Sequence, residues 1–369
     1  MSIFISIASY RDTELTKTVK SLYENASNPD DLVFGIVSQD VSGKHPKFPY
    51  IPIHNLRQKN IHARDAKGAG YARKLAMELY DGEDYFFQVD SHMRFAKDWD
   101  IKLLKMLGDA QKIQGTDKII LSQFPAPYTI FSTGDDHFPK GDPDFWDEPS
   151  WTSVVNTWNG VWAGNREKMK SKKAPHYSHT ILAGLLFAPG YIVDEVPYDE
   201  RISFMGEELC FAIRAYTRDW HIYAPNEMIA WHYYKREDRP KIWNDNTAGR
   251  VWSDIEMASQ RVQMDVLLGK EDGVYGIGDR KKYEEYQELI GINFEKFYKE
   301  NMHEKINLGT ITQELSFDEE FNLIESAISG YCKNKMHNQC FAIEICDCAC
   351  HTKKGRGNVR KQRQTNKRP

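Results

Sequence analysis

Short β-prone runs alternate with helix-patterned segments from the first residues of this chain, and that alternation constrains its fold more than any other feature. IFISIAS (3–9) reads as a strand, and DTELTKTVKSLYENA (12–26) as a helix with Leu15, Val19 and Leu22 on one face and Asp12 as its N-cap. DLVFGIVSQD (31–40) is a second strand. A proline-rich loop then leads to HARDAKGAGYARKLAMELY, whose Tyr71, Leu75 and Leu79 share a helical face. The strand in DYFFQVDSHMRF follows, and KIILSQF (118–124), TILAGLLFAP (180–189) and the helix EELCFAIRAY (207–216) extend the pattern. Strands alternating with helices predict an α/β fold with a mostly parallel sheet. Residues 131–178, rich in Gly, Pro, Trp and charge, read as a long loop, the kind of segment that more often carries function than core.

Sheets of this class bind ligands at the carboxyl ends of their strands. Asp90 and His92 fall at such an end, two residues apart on what would be one face, with Cα atoms about 6.6 Å apart. Both could reach one cation. A carboxylate oxygen with an imidazole nitrogen suits a borderline divalent ion such as manganese better than calcium. From spacing alone, an Asp that starts a turn beside a surface His reads equally well.

The chain has 369 residues, 41% of them hydrophobic, enough for one large domain with additions or for two domains. No apolar run approaches the roughly 18 residues that span a bilayer, and MSIFISIASYRD has neither a basic lead nor a cleavage signature, so no membrane partner and a cytoplasmic location are expected. The formal charge of −4 hides an asymmetry: residues 352–369 carry eight Lys or Arg and no acid, so residues 1–351 carry −12. Of six cysteines, only Cys210 precedes Cys332. That distribution excludes a secreted disulfide scaffold.

SIASYRD, HARDAKGAGYARKLA, QVDSHMRF, LAGLLFAPG, MGEELCFAIRAY and WHYY occur in this order between residues 6 and 234. The series resembles the glycosyltransferases that transfer N-acetylglucosamine to protein hydroxyl groups, including the cytoplasmic hydroxyproline-modifying enzymes. The resemblance implies a GT-A-type nucleotide-diphospho-sugar transferase fold over residues 1–240, a single Rossmann-like α/β domain dependent on Mn2+ or Mg2+. It also implies a UDP-GlcNAc donor and a hydroxyl acceptor, with protein favoured, and retention of anomeric configuration.

Under that resemblance Asp90 and His92 stand where such folds keep their metal-binding acidic motif, in an Asp-x-His version similar to that of mucin-type transferases, and His232 in AWHYY is the candidate third ligand. Arg11, Arg64 and Arg73 are candidates for phosphate or uridine contact, since guanidinium forks match phosphate oxygens. Gly68 and Gly70 would allow close approach to the nucleotide; KGAG is not a P-loop. Ala183 and Gly184 would leave room beneath the donor sugar, and Glu207 and Glu208 would border the acceptor. Each has an ordinary reading too: a solvated Arg, a loop Gly, a hydrogen-bonded His among aromatics, and carboxylates favoured by a helix N-terminus.

Residues 241–330 read as a charged helical extension with no evident chemistry. Residues 331–351 hold Cys332, Cys340, Cys346, Cys348 and Cys350 with His337 and His351, a density that points to structural Zn2+, with Cys332, Cys340, Cys346, Cys348, Cys350 and His351 competing for four places. The basic tail, 352–369, reads as disordered and as a possible nucleic-acid contact. It leaves a second functional class open: a nucleic-acid-binding protein, or a transferase acting on modified bases.

Overall fold

The computed structural model describes residues 1–297 apart from 43–44, 124, 205, 235–238, 244–251 and 131–172, within which only three short strands are described. In chain order the elements are β1 (Ile3–Tyr10), α1 (Leu15–Asn25), β2 (Leu32–Asp40), β3 (Leu56–His62), α2 (Ala69–Met77), β4 (Tyr85–Asp90), β5 (Met93–Phe95) and α3 (Trp99–Gln114). Next come β6 (Ile119–Ser122), β7 (Ala126–Pro127), β8 (Thr129–Ile130), β9 (Asp136–His137), β10 (Trp146–Pro149), β11 (Gly164–Glu167), β12 (His176–Ser178) and β13 (Leu185–Pro189). The remainder are α4 (Ile192–Glu195), α5 (Glu207–Tyr216), β14 (His221–Ala224), β15 (Ala230–His232), α6 (Trp252–Leu267) and α7 (Arg280–Ile290).

Eight strands form one sheet in the order β12-β14-β6-β13-β4-β1-β2-β3. β3, β2, β1 and β4 are mutually parallel, as are β6 and β14, while β13 runs against both β4 and β6, and β12 against β14. The α/β fold with a mostly parallel sheet expected from the sequence is thus present, as a mixed sheet. Alternation along β1 sends Ile3, Ile5 and Ile7 into the core shared with α1 and α3, and Ala8 to the opposite face with Val37 and the α2 residues Ala72, Leu75 and Ala76. Trp99 anchors the first face: its ring stacks on Phe87 at 5.1 Å and its Nε1–H donates to the Leu22 carbonyl at 2.9 Å. Each such buried side chain contributes about 1.5–3 kcal/mol.

The structure differs from the sequence expectation in several elements, three of which lie in or beside the main sheet. LRQKNIH, expected as loop, is the edge strand β3, half-buried along its length and so without an apolar alternation to read. The helix expected over 62–80 is a short 3-10 turn at Ala63–Asp65 followed by α2. The strand expected over 180–189 begins only at Leu185, because residues 180–184 turn along the end of β4. The chain divides into two compact units, Met1–Val154 with Val161–Gly291, and Val155–Gly160 with Ile292–Pro369. The sheet belongs to the first; in the second, Ile292 and Phe294 are buried. Among the described residues no helix is long and apolar enough to cross a membrane.

Candidate active site

β4 buries Phe86, Phe87 and Val89 together with Gln88, and it ends on Asp90 at the carboxyl edge of the parallel strands. The chain turns at Ser91 and His92 into the short β5, and β5 pairs antiparallel with β15, placing His232 opposite Met93. The Tyr233 N–H donates to the His92 carbonyl at 3.0 Å. This pairing brings residues 142 apart in sequence onto one spot. Asp90, His92 and His232 each offer a ligand atom, all within 4.8 Å of one another.

Within this triad His232 Nε2 lies 3.1 Å from Asp90 Oδ2, and His92 Nε2 lies 4.0 Å from the same oxygen. The two imidazoles meet edge to face with ring centroids 4.5 Å apart. His92 is 4% exposed, and its Nε2 has no hydrogen-bond partner among the described residues. A buried polar atom without a partner costs about 1–3 kcal/mol. A divalent cation held by one carboxylate and two imidazoles would satisfy it, so the donor set fits a borderline ion.

Asp12 supplies a contact that motif reading missed. It is 4% exposed at its side chain, and its Oδ2 accepts from Ser91 Oγ at 2.9 Å and lies 2.8 Å from His92 Nδ1. Oδ1 accepts from the Glu14 N–H at 2.9 Å and pairs with Arg239. The helix begins only at Leu15, with Glu14 at its cap position, so Asp12 is not the N-cap. Burial pushes the Asp12 carboxyl up, but the His92 hydrogen bond and the nearby cationic groups outweigh it and hold the carboxyl below its usual range.

The other oxygen of Asp90 faces a different neighbour. Oδ1 accepts from Arg73 Nη2 at 3.0 Å, and Arg73 Nη1 pairs with Glu207, while the guanidinium lies 5.6 Å from the centre of the Tyr198 ring. Burial pushes the Asp90 carboxyl up, but the His232 hydrogen bond and the Arg73 charge hold it well below the ordinary range. Glu207 opens α5 beside Glu208; burial raises its carboxyl despite Arg73. Glu208 Oε1 accepts from the Ala183 N–H at 2.9 Å, and burial, then the charge of Glu207, push its pKa up to about 7. A carboxyl that titrates near neutrality can both accept and donate at working pH.

The expected nucleotide contacts are spread more widely. Arg11 leaves β1 in a left-handed conformation with φ 46°, its N–H bonded to the Gln39 carbonyl. Arg64 is exposed and lies 3.8 Å from Asp65. Arg73 is buried between two carboxylates rather than exposed for a ligand. Gly68, with φ 117°, and Gly70 make close approaches to the chain's own backbone: a Cβ on either would fall 2.1 Å from the carbonyl of Ser203 or Ile202. At Gly184 a Cβ would stand 2.9 Å from Asp90 Oδ2, so the missing side chain leaves space for the carboxylate. Gln88 donates from Nε2 to the Ala183 carbonyl at 2.7 Å and lies 3.0 Å from the Tyr198 hydroxyl, fixing the 183–184 turn from beneath. Cys332, Cys340, Cys346, Cys348, Cys350 and His351 lie outside the described residues, as does the basic tail.

The chain is similar to several solved structures. The structure of GalNAc-T7 with UDP, GalNAc and Mn2+ is 14% identical, over 83% of this chain and 58% of that one, with TM-score 0.47. S. aureus TarS 1–349 in complex with UDP-GlcNAc is 15% identical, over 72% of this chain and 67% of that one, with TM-score 0.39. TarS 1–349 in complex with UDP is 12% identical, over 100% and 93%, with TM-score 0.42. This chain therefore spans little more than half the length of the GalNAc-T7 structure. No curated protein matches it. The family model described as Glycosyltransferase (GlcNAc) matches residues 2–52 and 49–273, which take in the whole triad, Arg73 and the Glu207–Glu208 pair. The chain belongs to the Glycosyltransferase (GlcNAc) family.

Proposed function

We propose that the chain is a divalent-metal-dependent, retaining glycosyltransferase that moves N-acetylglucosamine from UDP-GlcNAc to a hydroxyl group on protein. The observation that carries this reading is the convergence of Asp90, His92 and His232 at the sheet's carboxyl edge, with His92 Nε2 buried and without a partner among the described residues, in a chain of this family. Asp90 Oδ2, His92 Nε2 and His232 would hold the ion, with Mn2+ the best match to the donor set and Mg2+ the alternative. When bound, it supplies Lewis-acid neutralisation of the departing diphosphate.

The chain's own residues do the rest. Arg73 holds Asp90 from the side away from the ligand atoms. Arg11 and Arg64 remain the candidates for the nucleotide's phosphates and uridine, with Gly68, at the start of α2, four residues after Arg64. Ala183 and Gly184 floor the sugar site, and Glu207 and Glu208 border the acceptor, where one orients the attacking hydroxyl or stabilises positive charge on the ring. The absence of an unambiguous nucleophile among these groups favours front-side attack assisted by the leaving phosphate. The GlcNAc donor rests on the family, and the protein acceptor and a cytoplasmic location rest on the resemblance of the sequence motifs. The cysteine-rich segment is read as a structural zinc module outside the chemistry. Incubation with Mn2+ and a panel of UDP-sugars, without acceptor, is expected to give slow hydrolysis of UDP-GlcNAc that chelator abolishes. Hydrolysis of none of the panel would contradict the assignment.

A further inference from the structure

We infer that Asp12 is a positioning residue: it holds the His92 imidazole in the Nδ1–H tautomer with Nε2 turned toward Asp90, and Arg239 anchors Asp12 in that pose. The inference rests on the metal-site reading above and concerns residues that the motif left unassigned.

A carboxylate accepts hydrogen bonds and cannot donate them. With Asp12 Oδ2 at 2.8 Å, His92 Nδ1 must therefore be the donor, and in the neutral imidazole this leaves the lone pair on Nε2, the atom with no partner among the described residues. The backbone is fixed as firmly as the ring. Thr18 Oγ1 donates to the Ser91 carbonyl at 2.8 Å and accepts from the Met93 N–H at 2.9 Å, pinning the turn on both sides of His92 to α1. Asp12 is itself held at each oxygen: Arg239 and the Glu14 N–H on Oδ1, Ser91 Oγ on Oδ2. Arg239 is 8% exposed, and its guanidinium stands 5.0 Å from the centre of the Tyr233 ring, in the residue after His232. The stretch that supplies one ligand thus also braces the partner of another. Carboxylate or carbonyl partners of metal-bound imidazoles set tautomer and orientation, and their loss typically costs 10–100-fold in metal affinity.

Long-range 1H–15N NMR of the full chain, labelled at histidine, metal-free, and assigned with His92→Gln, reads which nitrogen of His92 bears the proton. The wild type is expected to show Nδ1–H. In Asp12→Asn, which keeps the side-chain shape, the amide can accept from or donate to Nδ1, so both tautomers are expected; Mn2+ affinity should fall about 10–100-fold. Arg239→Ala should lower Mn2+ affinity in the same direction by less. Nε2–H in the wild type, or an Asp12→Asn protein with unaltered tautomer and Mn2+ affinity, would overturn the inference. A wild type that binds no Mn2+ would remove the metal-site reading, while the metal-free spectrum would still decide the role of Asp12.

Discussion

The two oxygens of Asp90 lie in opposite environments. Oδ1 belongs to a closed arrangement, in which Arg73 bridges Asp90 and Glu207 below the surface. Oδ2 belongs to an open one, in which His92 and His232 are oriented toward it and His92 Nε2 has no partner among the described residues. One carboxylate therefore serves the fold through one atom and presents a ligand through the other. On the proposed reading, the ion pairs of the closed side hold the end of β4, while a cation on the open side would satisfy the atom left there.

Arg73→Met breaks the closed side and carries the largest expected effect. It leaves the buried Glu207 and the partly exposed Asp90 without their shared cation, which should cost about 3–5 kcal/mol of stability by urea unfolding. Excess Mn2+ should restore part of the loss, since an ion at the open side neutralises Asp90. A loss below about 1 kcal/mol would mean that the closed side is not what holds the edge together.

Glu208 sharpens the comparison through pH. Its carboxyl is raised from 4.5 to about 7, so the unfolded chain releases the proton first and stability falls as pH rises across that window. The group is only partly buried, so about 3 kcal/mol is the ceiling of the effect. The difference in stability between Glu208→Gln and wild type should grow in the variant's favour from pH 4.5 to pH 7.5. Equal differences at the two ends would show that Glu208 ionises freely.

How much of this was legible in the sequence follows from range. Asp90 and His92 sit two apart at a strand end, and α5 could be read from Leu209, Ile213 and Tyr216, so local pattern sufficed for both. α3 also carries a readable stripe, with Trp99, Leu103, Met106, Leu107 and Ala110 buried, although it was not singled out. Asp12 reads as a helix cap because its local context allows that; its partner His92 lies 80 residues away, and no spacing rule reaches so far. Arg73 reads as a candidate for phosphate or uridine contact for the same reason: Glu207, 134 residues on, decides its role. The antiparallel course of β13 depends on pairing with β4 and β6, which composition does not encode.

The smallest effect is expected from a deletion. Every residue assigned to the site precedes position 240, so a chain cut after about residue 330 should keep its rate of UDP-GlcNAc hydrolysis and lose any bound zinc, measured by elemental analysis. Loss of hydrolysis would place part of the chemistry in the cysteine-rich segment. Within the intact chain, deleting residues 352–369 should leave transfer to protein nearly unchanged; a nucleic-acid acceptor would instead weaken with the loss of eight cations.

The most direct measurement is a calorimetric and EPR titration of Mn2+ into the wild type and into Asp90→Asn, His92→Ala and His232→Ala, each checked for an unchanged melting transition. One ion per chain at the open side should appear in the wild type, and each substitution should abolish it and weaken UDP-GlcNAc binding with it. A folded variant that keeps wild-type Mn2+ stoichiometry and donor affinity would contradict the assignment of the open side as the metal centre.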